Sequence, residues 1–123
     1  MEPKLLFVYN AETGLFNKMT DFAHKIISPA TYACSLCALT YGNFTIKQEW
    51  AAFLRQLPLR VEFIYKNDWK FSHIHNHYPL VGLHASDGSL QLLLEAEELN
   101  ELKSLKQLML RLDQVLAKAG YQL

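Results

Sequence analysis

The chain of 123 residues lacks any apolar run long enough to cross a bilayer, so the sequence predicts no membrane-spanning segment. It lacks a charge bias as well: 12 basic and 12 acidic side chains cancel, which removes the cationic footprint that binding to a nucleic-acid backbone requires. Only 2 cysteines are present, too few for a disulfide framework. The start, Met1-Glu2-Pro3-Lys4 followed by Leu5–Tyr9, has neither a basic leader nor an extended apolar segment. The expected location is therefore the cytoplasm, where two cysteines three apart point to free thiols, a metal site or a redox pair more than to a structural staple. No Gly-x-x-x-x-Gly-Lys-Ser/Thr loop is present to cradle a nucleotide phosphate, and no Ser-His-Asp or paired-carboxylate arrangement is visible. Repeats, low-complexity segments and dividing linkers are also missing, so one domain over residues 1–123 is expected.

What is present is an ordinary globular composition, 50% apolar and 20% charged. Leu5–Tyr9 is an unbroken apolar run ended by Asn10, the pattern of a short strand covered on both faces. From Leu15 to Ile27 apolar residues recur at three and four positions, which predicts a helix stopped near Ser28-Pro29. A short helix from Pro29 towards Tyr41, closed by Gly42, is the next element. Thr45 and Gln48 have capping-box spacing ahead of Ile46, Trp50, Phe53, Leu54 and Leu57, and Pro58 ends that helix. Val61–Tyr65 is β-branched and aromatic, a second strand. Leu80–Ala85 and Leu90–Leu94 flank Asp87-Gly88, a pair suited to a tight hairpin turn. The leucine stripe from Leu99 to Leu116 predicts a closing helix, broken near Asn100, with Ser104 and Gln107 as a capping box and Gly120 as a stop.

Two strands joined through helices favour a parallel right-handed crossover, whereas the hairpin must be antiparallel. The predicted class is α/β: a mixed sheet of two parallel strands plus a β-hairpin, with flanking helices. That order resembles the thioredoxin-like fold, and Tyr78-Pro79 stands at the entrance to the third strand, where such proteins carry a cis-proline beside the active site. One departure is plain. In that fold the redox cysteines directly follow the first strand, but here Ala11-Glu12-Thr13-Gly14 fill that place and the pair comes later. The segment Ala23-His24-Lys25 through Ser28-Pro29, Thr31-Tyr32 and Cys34-Ser35-Leu36-Cys37 to Leu39-Thr40 resembles a bacterial family of thioredoxin-like proteins about this long. The resemblance extends over nearly the whole chain. It implies the fold but transfers no activity; a GTPase assignment sometimes attached to the family has no phosphate loop to support it here.

Cys34 and Cys37 have redox spacing, and a thiol at a helix N-terminus ionises more easily because the backbone amides stabilise its anion. If both lie inside a helix, their Cβ atoms stand about 5 to 6 Å apart, beyond the ~3.8 Å a disulfide prefers. Redox chemistry therefore requires Cys34 near a helix start. In that reading Cys34 attacks, Cys37 resolves, His24 assists the thiols and Pro79 shapes the adjacent surface. Three alternatives stand beside it: two buried, inert thiols; a zinc module in which Cys34 and Cys37 join one or more of His24, His73, His75 and His77; and a protein-binding adaptor on a degenerate redox fold. The histidines alternate, so in an extended segment all three imidazoles would point to one side. Tyr32, Tyr41, Trp50 and Trp69 are expected to pack. The redox reading calls for no cofactor. It leaves open another protein as partner and any oligomeric state.

Overall fold

A computed structural model describes residues 2–10, 35–40 and 47–121. Four strands form one sheet in the order β2-β1-β3-β4: β1 Lys4–Tyr9, β2 Arg60–Tyr65, β3 Leu80–His84 and β4 Leu90–Leu94. β1 pairs parallel with β2, from Lys4 opposite Arg60 to Tyr9 opposite Tyr65. It pairs antiparallel with β3, from Lys4 opposite His84 to Val8 opposite Leu80. The apolar run of β1 is thus an interior strand beside its parallel partner. The hairpin closes as the Asp-Gly pair predicts. Gly88 takes φ +91°, Ala85 N donates to Ser89 O, and Asp87 Oδ1 accepts from the Ser89 amide and hydroxyl at 2.9 and 2.7 Å.

Strand alternation divides β1 between two apolar clusters. Leu5, Phe7 and Tyr9 join Trp50, Leu99, Leu108, Leu112 and Leu116, whereas Leu6 and Val8 join Trp69 and Leu80. All of β1 from Leu5 onwards is at most 3% exposed, which explains a run with no polar face. A bulge between Val81 and Gly82 shifts the pairing of β4. Leu94 thereby reaches the first cluster while Leu90 and Leu92 pack against the second.

Four α-helices are described: α1 Ser35–Thr40, α2 Gln48–Arg55, α3 Ala96–Glu101 and α4 Leu105–Lys118. Each places buried residues in the first cluster, so these helices cover one face of the sheet. Among the described residues no α-helix places a buried residue in the second cluster. The second face is packed instead by the connection from β2 to β3, a 3-10 turn at Lys66–Asp68 followed by Trp69, Phe71 and Tyr78. The helix predicted over residues 15–27 lies outside the described residues.

The break near Asn100 is real: α3 ends at Glu101, and α4 starts afresh with Ser104 as its N-cap. Ser104 Oγ accepts from Gln107 N at 3.2 Å, and Gln107 Oε1 accepts from Lys103 N at 2.7 Å, a reciprocal cap that reaches one residue further back than the usual box. At α2 the sequence reading needs correction. Lys47, not Thr45, holds the N-cap position, and its side chain makes no cap bond. Burial of Trp50 with partial burial of Phe53 and Leu54 fixes α2 without a polar cap, because packing of an amphipathic face outweighs one terminal hydrogen bond. Among the described residues no helix is long and apolar enough to cross a membrane.

Candidate functional site

In a sheet with parallel strands, ligand and catalytic groups gather where the carboxyl ends of those strands leave it. Here β1 and β2 exit side by side, and Lys66 Nζ donates to Asn10 Oδ1 at 3.3 Å, tying the two exits together. The antiparallel register sets Leu80 opposite Val8, so Pro79, one residue earlier, enters β3 level with this same end. Pro79 is buried and its peptide bond with Tyr78 is cis. Burial pushes the Tyr78 phenol above its ordinary value of 10.0.

The described span of α1 is Ser35–Thr40, and Cys37 lies within it. Leu36 anchors the helix in the main core with no exposure, Thr40 Oγ1 donates to Leu36 O at 2.8 Å, and the helix packs against α3 and α4. Cys34 and His24 fall outside the described residues, as do Tyr32 and Tyr41.

The histidine segment is not extended as its alternation suggested. Residues 70–74 form a turn in which Ile74 N and His75 N both donate to Phe71 O at 2.9 Å, and Trp69 Nε1 donates to His75 O at 2.8 Å. Trp69 pulls this loop onto the sheet because its ring gains burial and its N–H gains a carbonyl. His73 and His77 are exposed and His75 is half-buried. Among the described residues no group of three His, Cys, Asp or Glu side chains is arranged to hold a metal ion.

Two clefts flank these elements. One, of about 590 Å3, lies between His77 and Tyr78 and the acidic helix α3, lined by its N-cap residue Glu95 and by Glu97 and Glu101. Glu98 on the same helix accepts a hydrogen bond from Arg111 Nε of α4. The other, of about 390 Å3, lies on the second face of the sheet, between the β2–β3 connection and edge strand β2. Lys4, Glu62, His84 and Phe71 meet there. The sequence reading did not find this group, since only strand register brings residues so far apart in the chain together. Comparison with protein-family models, curated proteins and solved structures finds no match to the chain.

Proposed function

We propose that the chain is a cytoplasmic thiol-disulfide redox protein on a thioredoxin-like fold, with Cys34 as attacking and Cys37 as resolving thiol. The observation that carries this reading is the sheet order β2-β1-β3-β4, with Pro79 entering β3 at the carboxyl end of β1. A helix containing Cys37, held against the core by Leu36, adds support. In the reaction the Cys34 thiolate attacks one sulfur of a partner protein's disulfide, forming a mixed disulfide and releasing the other partner sulfur as a thiolate that takes up a proton. Cys37, deprotonated in turn, attacks Cys34 Sγ. The partner leaves as a dithiol, reduced by two electrons, and the pair Cys34–Cys37 is oxidised by two. His24 is the proton acceptor proposed for the thiols.

The test is a Cys37→Ser variant, which removes the resolving thiol and should accumulate mixed disulfides through Cys34 with a disulfide-bearing protein substrate. A Cys34→Ser variant should trap none. If neither variant forms an adduct, while both thiols react once the protein is unfolded, the cysteines are core residues and the redox reading fails. The zinc alternative separates in the same samples: metal held by Cys34, Cys37 and the histidines would co-purify in stoichiometric amount and shield the thiols until a chelator is added.

A further inference from the structure

We infer that the cleft between the β2–β3 connection and edge strand β2 binds a small zwitterion with a flat apolar body, of the chemical class of a free aromatic amino acid. This site uses none of the residues of the thiol reading. Its volume, about 390 Å3, suits a small molecule. Leu6 and Ile64 provide apolar lining from the sheet, and Phe71 from the connection. That aromatic wall is anchored: Phe71 lies 5.2 Å from the Trp69 ring and meets His84 edge-on at 5.7 Å, while Trp69 is 5% exposed and hydrogen-bonded to the His75 carbonyl. A fixed ring beside aliphatic side chains favours a planar guest, which gains contact area without ordering the wall.

The charges select the head group. Lys4 Nζ stands 3.5 Å from Glu62 Oε2, with the two side chains 35% and 49% exposed, a loose pair that water already screens. A guest carrying only a carboxylate would meet Lys4 but repel Glu62, and a guest carrying only an ammonium would do the reverse. A zwitterion gives each an opposite partner and strands neither charge. His84, opposite Lys4 in the register, adds an imidazole able to donate to the guest's carboxylate.

The test is titration of the full chain with L-phenylalanine followed in 1H–15N spectra, beside phenethylamine, 3-phenylpropanoate and glycine, which each lack one required feature. Saturable shifts centred on Leu6, Glu62, Ile64, Phe71 and His84 are expected, with each control about three- to fivefold weaker or worse. Glu62→Gln, an exposed change that leaves the melting temperature in place, should weaken phenylalanine by a similar factor without weakening 3-phenylpropanoate. The inference is overturned by the absence of saturable shifts at this cleft up to about 10 mM phenylalanine. It is equally overturned if phenylpropanoate binds as tightly as phenylalanine, or if Glu62→Gln leaves phenylalanine affinity unchanged.

Discussion

Replacing Trp50 by phenylalanine should cost far less than its size suggests. Trp50 has no exposed surface, meets Phe7 edge-on at 5.3 Å and stacks on Phe53 at 5.7 Å, so its ring is a main part of the core. Its Nε1, however, is buried with no hydrogen-bond partner among the described residues. An unpaired buried N–H costs about 1 to 3 kcal/mol of desolvation, present only in the folded state. Trp50→Phe removes that donor together with two ring carbons, whose burial is worth roughly 1.6 kcal/mol at ~0.8 kcal/mol each, before any cavity term. The two effects oppose one another. We expect a net change within about 1 kcal/mol, against about 3 to 5 kcal/mol for Trp50→Ala, where the whole ring is lost and a cavity opens. Urea unfolding measures both, because Trp69, itself 5% exposed, remains as the fluorescent reporter in either variant. A Trp50→Phe variant as unstable as Trp50→Ala would refute the reasoning, since it would mean that the indole N–H is satisfied in the folded protein.

Ser104→Ala should destabilise by about 1 kcal/mol, read from the same urea curves, because it removes the acceptor for Gln107 N at the start of α4. No change would mean that the break between α3 and α4 is set by packing alone. The Asp87 carboxylate is held below its ordinary 3.8 first by the Ser89 hydroxyl and then by the Ser89 amide. A depressed folded value contributes stability above the unfolded value, and that stability is lost as pH falls through the folded one. Acid unfolding of Asp87→Asn should accordingly show a shallower loss of stability below about pH 4 than the parent does. Identical acid limbs would contradict the role of the Ser89 contacts.

How far the sequence discloses the fold depends on whether a residue's partners are near in the chain. The β1 run, the Asp87-Gly88 turn, and the Ser104 cap with its break near Asn100 are local signals, and each appears where its chemistry predicts. The parallel pairing of β1 and β2 follows from the connection between them rather than from either strand. The β2–β3 connection was not legible: Trp69, Phe71 and Tyr78 have no helical or strand period, yet they pack on the second face of the sheet because tertiary burial, not propensity, orders them. The histidine alternation misled for the same reason. A period of two means one side only in extended backbone, and the Phe71 carbonyl turns this segment instead. Lys4, Glu62 and His84 come together only through two registers and carry no sequence motif. Pro79 was legible as a position, since Tyr78-Pro79 precedes a clear strand.

The redox claim is tested most directly by equilibrating the intact chain with buffers of reduced and oxidised glutathione and quantifying its thiols by acid-quenched mass analysis. The account predicts a reversible intramolecular disulfide between Cys34 and Cys37, seen as the loss of two hydrogens, its fraction varying smoothly with the buffer ratio and returning to the dithiol on reduction. A chain that stays fully reduced across the series, or that forms only glutathione adducts with no Cys34–Cys37 bond, would contradict it.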